Sequence, residues 1–244
     1  MSEDVKGNRN LFLIAAGVLA LGIIVGGYLM GDGIRRARMA DRAVTMRGLA
    51  ERNVTADLAT WNISFGVQGT DLSAVQADVE RDTATVREFF RRAGFAADVI
   101  TDGGGSINSN YDNDRQATVY NINRRLQFRS TDVMRARAAY ARQFDLIRAG
   151  VPLQEGSNMV YSFTRLNSIK PEMIHESTLD ARRGAEQFAA DSDSAVGGIR
   201  SATQGYFSVG ARDGDSTNEE GGGGAGDSPF QKVRVVTTIE FYLN

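Results

Sequence analysis

Residues 232–243 read KVRVVTTIEFYL, an alternation of apolar and polar side chains that is typical of a half-buried β-strand. Residues 61–67 (WNISFGV) and 120–128 (YNINRRLQF) alternate in the same way. We therefore predict three strands that each bury one face and expose the other. Weaker alternation predicts four further strands, at residues 44–50, 98–107, 158–165 and 203–211.

Between the strands, apolar residues recur with helical spacing in three regions. These regions are Asp71–Ala93, Thr131–Ala149 and Pro171–Ser192. In the second region the spacing predicts that Phe144 and Ile147 face the core. In the third, Pro171 is expected in the first turn, where a missing N–H costs nothing. Strand pairs with helices inserted between them predict an α+β domain, with helices packed on a mainly antiparallel sheet.

Two polar, glycine-rich stretches are predicted to be loops. Residues 101–113 (TDGGGSINSNYDN) interrupt a strand region with Gly, Asn and Asp, the residues that favour turns. Residues 213–228 (DGDSTNEEGGGGAGDS) contain no aliphatic side chain larger than alanine. Since such a segment has nothing to bury, we predict a flexible loop there.

The N-terminal region contains an apolar segment of a different kind. Residues 11–30 (LFLIAAGVLALGIIVGGYLM) carry no charge and would form about 30 Å of helix, the thickness of a bilayer's hydrocarbon core. A cleaved signal peptide is the alternative, but the run is longer than the usual h-region and arginines follow it. We predict an uncleaved transmembrane anchor in contact with lipid, between a tail at 1–10 and a linker at 31–42. Residues 43–244 would then form the folded domain.

The predicted anchor also carries signals for association and orientation. Gly22 and Gly26 form a GxxxG motif, which lets two membrane helices approach closely, although glycine is common in membrane helices in general. Lys6 and Arg9 precede the segment, and four arginines follow it between residues 35 and 42. Taken alone, this positive charge favours a cytoplasmic C-terminal domain.

Composition excludes several classes of function. The chain is 42% hydrophobic and 24% charged with a net charge of −2, so no basic excess points to nucleic acid. It contains no cysteine, which excludes disulfides, cysteine nucleophiles and thiolate-bound metals.

No arrangement of residues predicts catalysis, a cofactor or a metal. His175 is the only histidine, and we expect it on the solvent face of a helix. The runs Gly103–Gly105 and Gly221–Gly224 lack the spacing of phosphate-binding loops and are expected to be flexible turns. Three pairs of aspartates have alternate spacing but do not continue into a calcium-loop pattern, at 112/114, 191/193 and 213/215.

One arginine has an unusual position in its predicted strand. Arg124 falls on the face shared by Ile122 and Leu126. An inward-facing arginine needs a carboxylate partner, so we expect one either within the fold or across a subunit contact.

Three stretches carry a resemblance to a known family. The stretch Val44–Glu51 (VTMRGLAE) looks like a first strand of the form V-x-V-x-G-x-G, with Ala50 where a second glycine is common. Phe95–Thr101 resembles the family's connection after a long first helix, and Asp180–Phe188 (DARRGAEQF) resembles its alanine-rich helix. On these residues and the order of elements, the chain resembles the SIMPL-domain family, the YggE-like proteins of bacterial envelopes.

The resemblance implies a location and an assembly, but no chemistry. It implies an α+β fold, a domain in the periplasm beside the bacterial inner membrane, and a tendency to form homo-oligomers. This location conflicts with the charge count around the anchor, and we expect the family's location to hold. The leading hypothesis is a single-pass envelope protein that self-assembles and has no enzymatic activity, with no nucleic acid or small-molecule substrate. The alternative is a monomeric or dimeric module that binds a ligand or partner, with the glycine-rich loops as contact points.

Overall fold

The computed structural model describes residue 17 and residues 19–33, 42–213 and 225–244. Its first element is a helix, α1, over residues 19–33. The strands are β1 (Ala43–Thr55), β2 (Leu58–Gly69), β3 (Ile100–Asp112), β4 (Ala117–Ser130), β5 (Met159–Ser162), β6 (Val196–Gln204), β7 (Ser208–Ala211), β8 (Ala225–Gly226) and β9 (Phe230–Leu243). The later helices are α2 (Leu72–Arg92), α3 (Val133–Tyr140), α4 (Phe144–Arg148) and α5 (Leu166–Asp191), with a 3₁₀ turn at Ala97–Val99.

The strands form two sheets. In the first, the order is β3-β4-β2-β5-β8, and each neighbouring pair is antiparallel. In the second, β9 lies between β1 and β6 and also pairs with β7. Both β6 and β7 run antiparallel to β9. The predicted class, α+β with antiparallel sheets and packed helices, is confirmed.

By its internal contacts the chain divides into two compact units. Unit 1 comprises Met1–Leu49, Ser177–Gly205 and Thr237–Asn244. Unit 2 comprises Ala50–Glu176 and Tyr206–Val236. The first sheet and helices α2, α3 and α4 therefore belong to unit 2.

The largest core of unit 2 lies between α2 and the first sheet. Trp61 on β2, Phe128 on β4 and Phe90 on α2 are all fully buried. The ring of Phe90 stacks on that of Phe128, with centroids 4.4 Å apart. Helix α2 begins at Asp71, whose carboxylate accepts the backbone N–H groups of Ser73 and Ala74, an N-cap that satisfies donors the helix cannot. Helical periodicity and capping thus place α2 as the sequence predicted.

The core of unit 1 depends on small residues that bring α5 close to β1. A Cβ atom added to Gly48 would lie 1.8 Å from the carbonyl oxygen of Ser177 and 2.5 Å from the backbone N of Ala181. Ala181 and Ala185 are buried on the same helix face, against Ile239 and Phe241 of β9. Strand and helix therefore touch through their backbones at this point.

The structure corrects the loop predicted at residues 101–113. These residues lie almost entirely in β3, which pairs with β4 residue by residue from Gly105 opposite Arg124 to Asp112 opposite Ala117. Residues 101–111 are all exposed, so burial leaves only weak alternation in this part of the sequence. Backbone hydrogen bonds to β4, rather than side-chain burial, make this segment a strand.

The second predicted helix is divided into α3 and α4. Between them, N–H groups bond three residues back, from Arg142 to Ala139 and from Gln143 to Tyr140. This tighter 3₁₀ geometry has three residues per turn and shifts the helical phase. Leu146 is therefore buried, whereas Phe144 is 62% exposed and Ile147 is 48% exposed. The prediction that Phe144 and Ile147 face the core was wrong for this reason.

The third helix begins earlier than predicted. Helix α5 starts at Leu166, so Pro171 lies inside it rather than in its first turn. Leu166 and Ile169 pack on a small core of unit 2 formed by Ala50, Met173, Val233 and Val235. Packing of these two side chains offsets the loss of the backbone hydrogen bond that the proline cannot donate.

The N-terminal prediction is only partly covered by the described residues. Within the part of the chain that the structure describes, no helix combines the length and the apolar character needed to cross a bilayer. Residues 1–16, 18 and 34–41, which hold the predicted tail, part of the predicted anchor and most of the linker, lie outside the described residues, as do 214–224 of the predicted glycine-rich loop.

Candidate interaction surface

The most exposed regular element of unit 2 is β3. It is the terminal strand of the first sheet, so β4 pairs with one edge, and the other edge has no partner among the described strands. An edge strand presents a row of N–H and C=O groups that can pair with another chain. With 13 residues, β3 is also long for such a strand.

The side chains of β3 divide between two faces. Ile107 lies opposite Ile122, on the face that packs against α2 further along the sheet. Strand alternation places Ile107, Ser109 and Tyr111 together on that face. Ile122 is buried, but Ile107 is 61% exposed and Tyr111 is 63% exposed. The outermost strand thus carries two large apolar side chains in water.

After the irregular segment at its start, the free edge of β3 carries few of the devices that usually protect an edge. Residues 100–112 (ITDGGGSINSNYD) contain no Lys, Arg or Pro, and their only charges, Asp102 and Asp112, stand near the ends. In unit 1, by contrast, the Asp180 carboxylate accepts the backbone N–H of Leu49 at 3.0 Å and so covers part of β1. Natural proteins block edges with charges, prolines, β-bulges or covering elements, and within the described residues β3 has none of these between Ser106 and Tyr111.

Arg124 has the carboxylate partner that the sequence predicted, and the partner lies within the fold. Its Nη2 donates to the carboxylate of Asp102 on the neighbouring strand β3. Its Nε is buried without a hydrogen-bond partner among the described residues. The ion pair ties the start of β3 to β4.

The three glycines at 103–105 form an irregularity in β3 and not a flexible turn. The register shifts between Asp102 and Gly105, and Gly104 has a φ of +85°. A Cβ atom on Gly105 would lie 2.5 Å from the carbonyl oxygen of Asn123. Glycine is therefore needed here for a positive φ and for close approach to β4, as in a β-bulge.

A cleft of about 580 Å³ lies between α2 and the α3–α4 region. Phe89 and Leu146 contribute apolar surface, and Arg81, Arg92 and Arg142 contribute charge. Each of these arginines pairs with an acid on its own segment, respectively Asp78, Glu88 and Asp145. Hydrogen bonds from Arg91 and Arg92 lower the pKa of Glu88 to about 2. Each of the three arginines of the cleft is therefore already engaged by an acid of its own segment.

The remaining predicted residues do not form a chemical site. His175 is exposed in the middle of α5, as expected for a solvated histidine. Among the described residues, no group of three His, Asp or Glu side chains could hold a metal ion. Asp112 accepts the backbone N–H groups of Asp114 and Arg115, which is the geometry of a turn. Asp215 and Gly221–Gly224 lie outside the described residues.

Sequence reasoning missed one ion-pair cluster in unit 2. Arg52 on β1 donates to Glu172 at 2.6 Å and to Glu176 at 2.7 Å, both on α5. The hydrogen bond from Arg52 lowers the pKa of Glu172, and the same bond raises the pKa of Arg52. The two glutamates are four residues apart on one helix face, a spacing that could have signalled a shared partner. The cluster is partly exposed and joins a strand to a helix.

Comparison with models of known protein families identifies the family of this chain. Residues 44–241 match the family described as SIMPL, protein of unknown function (DUF541). The chain belongs to the SIMPL family. A search of curated proteins finds no match to it.

The SIMPL resemblance seen in the sequence has a structural basis in unit 1. The strand motif contains Gly48, and the alanine-rich helix contains Ala181. Because Gly48 has no side chain, Ala181 can approach the strand closely. Asp180 of the same helix motif accepts the N–H of Leu49. The two motifs thus pack against each other, and their small residues maintain the fold. The family description names no activity.

Proposed function

We propose that this protein is a membrane-anchored envelope protein whose SIMPL domain assembles with copies of itself, in a structural or interaction role. The observation that carries the proposal is the free edge of β3. A strand of 13 residues, exposed on both faces and without protective charges along its middle, is a template for pairing with another chain.

Membrane anchoring is supported by the sequence and by the surroundings of α1. The uncharged run at 11–30 matches a bilayer in length. In the described part of that run, the large apolar side chains are 50–74% exposed, from Leu19 to Met30. Such a surface is stable in lipid, whereas water would favour its burial. Gly22 and Gly26 lie on this helix, and a Cβ atom on either would meet nothing within 4 Å, which leaves room for a second helix.

The resemblance to YggE-like envelope proteins supports a proposed location. We propose that the protein lies in the bacterial inner membrane as a single-pass protein, with the domain in the periplasm. A periplasmic domain tethered to the membrane is confined to two dimensions, which raises the effective concentration of its copies and favours weak self-association.

The self-assembly is tested by measuring the mass of the full-length chain in detergent. Mass photometry of the protein solubilised at micromolar concentration is expected to show a discrete species larger than one 26.4 kDa chain plus its micelle. An empty-micelle sample and a monomeric single-pass protein of similar size serve as controls. A single monomeric species would overturn the proposal and favour a monomeric binding module instead.

A further inference from the structure

The regular part of β3 can pair with itself. After the register shift at Asp102/Gly105, pairing with β4 is continuous from Gly105 to Asp112, so this stretch has a regular outer edge. Two identical strands that pair antiparallel are related by a two-fold axis, and each contact then occurs twice. The position of the axis decides which side chains lie opposite each other.

An axis at Ser109 gives the best match of side chains. It places Ile107 of each copy opposite Tyr111 of the other, so the two exposed apolar side chains of each strand are covered. Pairs of an aromatic and a β-branched side chain are among the most stabilising across antiparallel strands. The same axis places Asn108 opposite Asn110, where two amides can exchange hydrogen bonds.

Other axes match less well. An axis at Ile107 places Asp112 opposite Asp102 of the second copy, a like-charge pair, and places Tyr111 opposite Gly103 in the irregular segment. An axis at Asn108 places Ile107 opposite Ser109. Any axis between two residues places the apolar face of one strand beside the polar face of the other, so Ile107 would meet a polar residue such as Asn108, Asn110 or Asp112.

We propose that β3 pairs antiparallel with β3 of a second copy of this chain, about a two-fold axis at Ser109. The proposal rests on the proposed self-assembly and names its contact. Two sheets of five strands then become one sheet of ten, and the edge that is exposed in one copy is covered. We take the strand that covers the free edge of β3 to be a second copy of β3, because β3 itself supplies both members of each Ile–Tyr pair.

The absence of cysteine allows a direct test by disulfide cross-linking. In the full-length chain in detergent, Ser109→Cys places two sulfurs at the axis, where opposite Cα atoms are about 4.5–5.5 Å apart, within the range of a disulfide. Ile107→Cys is the matched control, because its two copies are about 14 Å apart along the strands. We expect Ser109→Cys to yield a covalent dimer on mild oxidation, and Ile107→Cys to stay monomeric on a non-reducing gel.

A mixing experiment tests the same register at the pair of residues that flanks the axis. Ile107→Cys and Tyr111→Cys proteins, each oxidised alone, are expected to remain monomeric. After mixing and equilibration they are expected to form a mixed covalent dimer, because residues 107 and 111 lie opposite each other. Cross-linking of Ile107→Cys or Asn108→Cys with itself, without cross-linking of Ser109→Cys, would overturn the proposed axis.

A charge substitution separates this contact from self-assembly as such. Ile107→Lys puts a cation at the contact, and we expect the dissociation constant to rise about tenfold or more. Ile199→Lys is the control, since Ile199 is a similarly exposed isoleucine, 54% exposed, on strand β6 of the other sheet. If the wild type is oligomeric but Ser109→Cys does not cross-link and Ile107→Lys has no effect, the β3 contact is wrong while the proposed function stands. A monomeric wild type overturns both.

Discussion

At the scale of single residues, Gly48 shows how one missing side chain determines a packing distance. The carbonyl of Ser177 and the backbone N of Ala181 occupy the space where any Cβ atom at residue 48 would lie. Because the obstructing atoms are backbone, they cannot rotate away as a flexible side chain would. The glycine is therefore required by contact and not by its conformational freedom.

We expect Gly48→Ala to destabilise the protein by about 1–3 kcal/mol, as overpacking of a tight core does. Gly198→Ala is the matched control in β6, because a Cβ atom there would meet nothing within 4 Å, and its effect should stay within about 0.5 kcal/mol. Urea unfolding followed by far-ultraviolet circular dichroism measures both. Equal midpoints for the two variants would contradict the close contact.

Residues differed in how far the sequence could predict their environment. The need of Arg124 for a carboxylate followed from its position on an apolar face, and Asp102 provides it. That Asp102 lies beside Arg124 on the neighbouring strand did not follow from the sequence, since the weak strand predicted at 98–107 overlapped the loop predicted at 101–113. The contacts of Arg52 with Glu172 and Glu176 span more than a hundred residues and depend on tertiary packing.

At the scale of elements, periodicity predicted the strands that bury one face and did not predict the full extent of a strand that is exposed on both faces. The strands with one buried face, β2, β4 and β9, are found where the alternation predicted them. Strand β3 has no buried face over most of its length. It was predicted only as a weak strand at 98–107, overlapping a loop at 101–113. In α3 and α4 the pattern indicated a helix correctly, but the intervening 3₁₀ geometry changed which face is inward.

The outward position of Phe144 on α4 can be tested by comparing it with a buried phenylalanine, Phe90 on α2. Phe90→Ala should destabilise unit 2 by about 3–5 kcal/mol, because it removes a fully buried ring stacked on Phe128. Phe144→Ala should change stability by no more than about 0.5 kcal/mol, since Phe144 is 62% exposed. The single tryptophan, Trp61, lies 5.5 Å from the ring of Phe90 and reports unfolding by its fluorescence. A large loss of stability in Phe144→Ala would restore the single-helix prediction.

At the scale of the whole molecule, two opposing arguments bear on the proposed orientation of the chain in a membrane. Four arginines between residues 35 and 42 favour a cytoplasmic domain by charge alone. The sequence resemblance to YggE-like envelope proteins, on which the proposed location rests, favours a periplasmic one. A resemblance that extends over nearly the whole domain has more weight than a difference of about two charges near a short tail.

We therefore expect an alkaline phosphatase fused after Asn244 to be active in intact bacteria, because this reporter is active only when exported. A cytoplasmic reporter fused at the same residue should be inactive and serves as the reciprocal control. The opposite pair of results would place the domain in the cytoplasm and overturn the proposed location.

The sequence by itself determined the fold class, the family and the absence of a recognisable catalytic motif. Alternation and helical spacing reflect which side chains are buried, and burial is the dominant local requirement on a sequence. Only the tertiary structure decided that β3 extends to Asp112, that its outer edge is free, and that α5 touches β1 at Gly48. These features depend on backbone pairing and on contacts between distant segments, which leave no periodic trace in the chain.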